Sequence, residues 1–212
     1  MEKKMKETSV LMVVAVGLML IQCGCGPGRA TKTGFLTDYS RLSKESDSTL
    51  RHVNKRALAK YSSFIVDPVK VHFHMGSKAI EHRTKGKLTQ RQVTDLTNYL
   101  HARIVKAVED SGNRVVYQPA SSVARIRVAL TDITKSSAAA LLPQAKLIGA
   151  GIGGASMEAE VVDSMTGEQI GAVVESKQGS RIPFANLGKW DAAKQVINDW
   201  AKRFQKRLAE AR

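Results

Sequence analysis

The residues able to do chemistry in this chain are few, and their spacing limits what that chemistry is. Two cysteines, Cys23 and Cys25, stand one residue apart near the N-terminus. With no third thiol, neither a disulfide scaffold nor a Cys-rich zinc site can be built. His72 and His74 lie two apart in an alternating stretch, which places both imidazoles on one side of a strand. Two such rings need a third ligand to hold a metal, and no HExxH accompanies them. Solvent-facing polar residues are the favoured reading, with a metal site the weak one. Asp67, Asp132 and Asp163 fall at predicted strand ends, where carboxylates could pair for acid–base work, although Asp also favours turns for its own reasons. Gly149-Ala-Gly-Ile-Gly-Gly154 satisfies GxGxxG by letter. A strand follows it instead of a helix, so no helix N-terminus is offered to a pyrophosphate. There is no GxSxG elbow, no P-loop and no Cys–His pair. These residues argue against an enzyme and assign no cofactor.

What precedes the cysteines gives them a role. Met1 to Glu7 carries Lys3, Lys4 and Lys6, and the run Thr8 to Ile21 is uncharged and mostly apolar. As a helix that run reaches about 21 Å, short of the roughly 30 Å hydrocarbon core, so it reads as a secretory signal. It ends in Leu20-Ile21-Gln22-Cys23-Gly24-Cys25-Gly26. This resembles a bacterial lipobox, in which a small residue precedes a cysteine that is acylated and becomes the new N-terminus. Gly24 supplies the small residue before Cys25; Cys23 has Leu20 and Ile21 in place but follows the bulkier Gln22. Cys25 is the favoured attachment site and Cys23 the alternative. The expected organisation is a lipoprotein signal peptide over 1–24, a tether over 25–33 and a periplasm-facing domain over 34–212. A covalent lipid such as palmitate on the cysteine is then the only attached group. Glycine, not Asp, follows either cysteine, so by resemblance to the bacterial sorting rule the expected address is the periplasmic face of the outer membrane.

The elements that follow must form one domain. Gly34 to Leu42 holds three large apolar groups and is expected to dock on it, and Ser43 to Ser48 reads as a loop. Leu50, Val53, Ala57 and Tyr61 have helical spacing, which predicts a helix over 49–61. Phe64 to His74 reads as a strand interrupted by Asp67-Pro68, and Met75 to Lys87 as a polar, mobile loop. Thr89 to Gln92 forms a capping box ahead of the stripe Val93, Leu96, Leu100, Ile104 and Val108, with Gly112 ending that helix. Strands are expected at 114–117, 124–133, 157–163 and 168–176, the last two joined by the hairpin turn Ser164-Met-Thr-Gly167. A final helix over 189–209 carries Trp190, Ala193, Ile197, Trp200, Phe204 and Leu208 on one face. The fold class is α/β (α+β), a single domain with a mixed, antiparallel-rich sheet. About five strands and two or three helices are expected, in the order β-α-β-β-β-β-α.

The chain is strongly basic. Lys plus Arg is 33 against 19 for Asp plus Glu, a formal +14, and removing the signal's three lysines and two glutamates leaves +13. Outside the cytoplasm the available anions are lipid head groups and other envelope components, not nucleic acid. Lys202, Arg203, Lys206 and Arg207 on the final helix, with Lys194 nearby, form the densest cluster. They also complement that helix's C-terminal dipole, and a solvated face without a ligand is the plainer reading. Ala138 to Ala155 is rich in Ala, Gly and Leu, with Lys146 its one charge. It is a candidate membrane or subunit contact, against the plainer reading of a loop packed on its own domain.

Four segments together are similar to a known family. Phe35-Leu-x-Asp-Tyr39-Ser-x-Leu42, the Asp67-Pro68-Val69 strand start, Arg127-Val-Ala-Leu-Thr-Asp132 and Glu158-Ala-Glu-Val-Val-Asp-Ser-x-Thr-Gly-Glu168 occur in this order. They resemble the bacterial lipoprotein family catalogued as domain of unknown function 3313, over about Gly34 to Leu208. The resemblance implies a cell-envelope lipoprotein and carries no catalytic residues. A fold-level likeness to the curli-secretion lipoproteins adds a rival reading, a homo-oligomeric pore or secretion component. A hydrolase of envelope polymers using the strand-end aspartates is the second rival. The favoured function is a non-catalytic, acyl-anchored binding or assembly module whose partners are the membrane, anionic envelope components or envelope proteins.

Overall fold

A computed structural model describes residues 28–136, 152–179 and 188–211. Along the chain it has strands β1 (Ser43–Ser46) and β2 (Thr49–Val53), a one-turn helix α1 (Lys55–Leu58), and strands β3 (Ser63–Val66) and β4 (Lys70–Val71). Helices α2 (Lys78–Thr84) and α3 (Gln90–Asp110) come next. Strands β5 (Arg114–Val115), β6 (Val123–Thr134), β7 (Gly154–Asp163) and β8 (Gln169–Gln178) lead to the closing helix α4 (Asp191–Glu210). One sheet runs in the order β1-β2-β8-β7-β6-β3-β5, with β4 also paired to β6. β3, β4 and β5 make parallel pairs and the remaining pairs are antiparallel. The α+β class and the antiparallel bias are as expected from the sequence.

The expected count of about five strands and two or three helices is too low: the described residues form eight strands and four helices. Three segments account for the difference. The predicted helix over 49–61 is a strand, β2, followed by the single turn of α1. Its first half pairs along β8 from Thr49↔Glu175 to Val53↔Gly171, so an available sheet edge overrides the helical spacing. The expected loop over 43–48 supplies β1 and closes a hairpin on β2. The expected mobile loop over 75–87 contains α2, whose first turn is capped twice. Ser77 Oγ accepts from the Ile80 N–H, and the Asp132 carboxylate accepts from the Ala79 N–H at 2.8 Å.

The sheet has two differently covered faces. Ile126, Val128 and Leu130 of β6 and Met157 of β7 join Leu100, Ile104, Ile197 and Trp200 of α3 and α4 in the main core. The predicted stripe on α3 is wholly buried there, and the Thr89/Gln92 capping box forms as read. Tyr99 Oη donates to Asn198 Oδ1 at 2.8 Å, fixing α3 beside α4. Among the described residues the opposite face carries no helix. It is covered by Phe35 and Leu36, which pack on Ala129, Ala172 and Val174. The turn after β7 needs Gly167 in the left-handed region (φ 75°), as its hairpin position demands. Among the described residues no helix is long and apolar enough to cross a membrane.

Candidate functional site

Among the described residues, the face of the sheet away from the helices holds a dense cluster of buried polar groups. Glu158 and Glu160 alternate with Met157, Ala159 and Val161 along β7, so strand pleating turns both carboxylates to that face. Both are buried, at 0% and 1% exposure. An ionised carboxylate taken from water costs several kcal/mol unless its oxygens are filled by donors, and here a strap made of residues 33–39 fills them. Glu158 accepts from the Thr33 N–H, from the Phe35 N–H at 3.2 Å and from Tyr39 Oη at 2.5 Å. Glu160 accepts from the Thr37 N–H at 2.9 Å and the Thr37 hydroxyl at 2.8 Å. Arg127 of β6 at 2.7 Å and Gln169 Nε2 of β8 at 2.8 Å complete the Glu160 shell.

The strap's own geometry makes this possible. The N–H groups of residues 33, 35 and 37 recur at the two-residue period that matches the spacing of Glu158 and Glu160 on the strand below. Gly34 sits at φ 93°, a region costly for other residues, and its N–H donates to Tyr39 Oη at 2.8 Å. The tyrosine hydroxyl thus collects strap donors and passes its own proton toward Glu158. Burial, and then the bond to Glu158, raises its pKa. The Arg127 guanidinium lies 5.6 Å from the Phe35 ring centroid, and the His72 ring 6.2 Å from it. Upstream, the Ala30 N–H donates to the Asp47 carbonyl at 3.0 Å, and Gly28 lies against the Ser176 side chain. From Gly28 onward the segment expected to be a loose tether is therefore seated on the domain.

The sequence-derived candidates fare differently. β4 ends at Val71, so His72 and His74 lie beyond the strand that was to align them. His72 Nε2 sits 3.1 Å from the Thr33 carbonyl, tying it to the strap. Among the described residues no group of three His, Cys, Asp or Glu is arranged to hold a metal. The three aspartates are not brought together. Asp67 pairs with Arg125 at 2.6 Å, Asp132 caps α2, and Asp163 accepts from Tyr61 Oη at 2.7 Å and from the Met165 and Thr166 N–H groups. The Tyr61 bond is the largest cause holding Asp163 down at about 2.

The basic cluster on α4 divides. Lys202 and Lys206 face solvent, Lys206 lying 3.7 Å from Glu210. Arg203 and Arg207 turn inward beside the sheet, Arg203 binding Glu175 at 2.6 Å. Cys23, Cys25 and Lys146 lie outside the described residues, as does most of 138–155. The ends of that last segment are close together: Ser136 Oγ donates to the Ile152 carbonyl at 3.1 Å. The Gly179 N–H bonds the Gly153 carbonyl, and the Ser136 N–H the Lys189 carbonyl. This end of the sheet is the one where Gly28 meets Ser176, two residues from the Gln178–Gly154 rung.

Glu158 and Glu160 were not read as site residues from the sequence. They entered only within the segment Glu158 to Glu168 that carries the family resemblance, and the signal that could have found them was a compact apolar segment, 35–42, with no core of its own to join.

The profile described as "Protein of unknown function (DUF3313)" matches residues 31–204, and the chain belongs to that family. The match spans the strap, β7 and most of α4. No curated protein matches the chain. Among solved structures, the PelC dodecamer from Paraburkholderia phytofirmans aligns with a TM-score of 0.45 at 9% identity, covering 76% of this chain and 96% of that one. A point variant of the same dodecamer aligns with a TM-score of 0.42 at 12% identity, covering 74% and 96%.

Proposed function

We propose that this member of the DUF3313 family is a non-catalytic binding or assembly module of the cell envelope, acylated on Cys25 and held at the periplasmic face of the outer membrane. The observation that carries the reading is the seated strap. Three peptide units separate Cys25 from Gly28, which is already in contact with the domain. Even fully extended they span only ~10 Å. A lipid on Cys25 would therefore hold the folded domain within about a Debye length of the bilayer, ~8 Å at physiological ionic strength. At that separation the basic residues nearest the anchor, part of a chain of formal charge +14, would act on anionic head groups, while those farther out are screened.

The orientation follows from the same contact. The end of the sheet at Ser136, Ile152 and Gly179 would face the membrane, and the stretch 138–155, with Lys146 its one charge, connects to the sheet at that end. The two buried glutamates are structural in this reading. They convert a lipid anchor into a fixed presentation of the domain, where a free tether would leave it swinging.

The test is expression of the full-length chain in a diderm bacterium beside Cys25→Ser and Cys23→Ser, with acyl incorporation, intact mass and membrane fraction measured. Loss of acylation in Cys25→Ser alone is the expected result. Loss in Cys23→Ser alone would move the attachment site and add two residues to the tether. A wild-type chain that is soluble and unacylated would end the anchored reading.

A further inference from the structure

A second feature lies on the other face of the sheet. Between β2, β7, β8 and α4 is a cavity of about 110 Å³. It is comparable to the ~150 Å³ engineered cavity that admits benzene, so a short stretch of alkyl chain fits. Its wall is apolar, built by Ala159, Val173, Trp200, Phe204 and Leu208, and Gly171 adds no side chain to it. Its charged lining is unbalanced. Arg51, Arg203 and Arg207 stand against Glu175 and Glu160, and the Glu160 carboxylate is turned to the other face, where Thr37, Arg127 and Gln169 hold it. These arginines are partly exposed while Trp200 and Leu208 are buried, so the charges mark the mouth and the apolar groups the interior.

Two further observations say what the cavity lacks. Arg203 is committed to Glu175, and Arg51 pairs with Glu45 of β1. Arg207 makes no salt bridge among the described residues, and burial together with the neighbouring Arg203 pulls its pKa down. Within the same lining, the Trp200 indole N–H and the Arg51 Nε–H are buried with no hydrogen-bond acceptor among the described residues. Unmet donors and an unpaired cation beside an apolar wall are complementary to a molecule with an alkyl tail and an anionic head.

We propose that this cavity binds a single-chain amphiphile, its alkyl tail under α4 and its anionic head at Arg207 and Arg51. The site is independent of the acyl anchor on Cys25, because it lies across the sheet from the strap.

The test uses the full-length acylated chain in phosphatidylcholine nanodiscs with decanoate bearing a terminal diazirine, photolysed and mapped by peptide mass spectrometry. Label is expected on the peptides of β7, β8 and α4 that line the cavity. Unlabelled decanoate should displace it at about tenfold lower concentration than decanol, and decyl phosphate in parallel separates a carboxylate preference from a phosphate one. Arg207→Gln should erase the tenfold advantage of the anions, a change of about 1.4 kcal/mol. Ala159→Leu should remove the label by filling the cavity. Label confined to other surfaces, or equal displacement by decanol and both anions in the wild type, would overturn the proposal, and that comparison needs no substitution that could disturb folding.

Discussion

Replacing Glu158 by glutamine keeps the side chain's shape and removes its charge, which isolates what the carboxylate does. The groups bound to its two oxygens are all donors: the N–H groups of Thr33 and Phe35 and the hydroxyl of Tyr39. Glutamine retains one acceptor oxygen and presents an amide NH₂ where the other stood, so at least one strap donor meets a donor. A hydrogen bond to an ionised group contributes ~1.5–3 kcal/mol, and a stranded buried donor costs ~1–3 kcal/mol. The opposing effect is relief from burying a charge, itself worth several kcal/mol in a site without partners. At Glu158 that cost is already offset by three donors, so the loss prevails, at ~2–3 kcal/mol. It should fall on the strap alone, because Leu100, Ile104 and the rest of the helical core lie across the sheet. In equilibrium terms this is roughly 30- to 150-fold toward the undocked strap. Amide hydrogen exchange reads it directly: protection at Thr33 and Phe35 should fall by that factor while Leu100 and Ile104 stay within about threefold of wild type. Unchanged exchange at Thr33 and Phe35 would refute the carboxylate's role. Equal loss in strap and core would refute the separation of the strap from the helical core.

Gly34→Ala should destabilise strap docking by about 1 kcal/mol or more, because φ is 93° there while nothing lies within 4 Å of the new Cβ, so the cost is conformational. Faster tryptic cleavage at Lys32 or Arg41 would register it. Tyr61→Phe should flatten the acid dependence of stability. Asp163 has its pKa lowered from 3.8 to about 2, so its contribution is full above pH 3.8 and lost as pH falls through about 2. Acid unfolding followed by circular dichroism should show a shallower slope across that window in the variant. At the other end of the scale, Tyr61 itself is pushed up to about 12 by burial and then by Asp163, so its ultraviolet titration should come well after the ordinary value of 10.

What the sequence disclosed and what it hid divide along physical lines. Helix α3 was legible because its capping box, apolar stripe and terminal glycine are all local and all agree. The β7–β8 hairpin was legible for the same reason, with alternation on both sides of a Gly-containing turn. Residues 49–53 were misread because their fate is decided by a partner 120 residues away: β8 has an open edge, and pairing there outweighs helical spacing. α2 was missed because its local cap, Ser77, is joined by a second one, Asp132, which arrives from β6. The strap was expected to dock, and its apolar groups do so. The buried glutamates beneath it were not foreseen, since a carboxylate on an alternating strand reads as solvent-facing until something is found to cover it. The basic helix was legible as charge and not as geometry, because two arginines that lie one turn apart can turn inward only when Glu175 is known to be there.

Strand β7 joins the two proposals physically. Its odd-numbered residues, Met157, Ala159 and Val161, contribute to the lining under α4, while Glu158 and Glu160 hold the strap on the other face. Successive residues of one strand cannot shift independently, because a register slip would exchange the two faces and bury two unpaired carboxylates in the apolar cavity. The carboxylates therefore fix the strand's register as firmly as they fix the strap. The same two side chains that seat the strap also hold the cavity floor in place. Undocking of the strap would expose Glu158 and Glu160 to water without reversing the strand, since β6 and β8 still pair with β7 on either side. Loss of the strap should thus leave the cavity across the sheet intact.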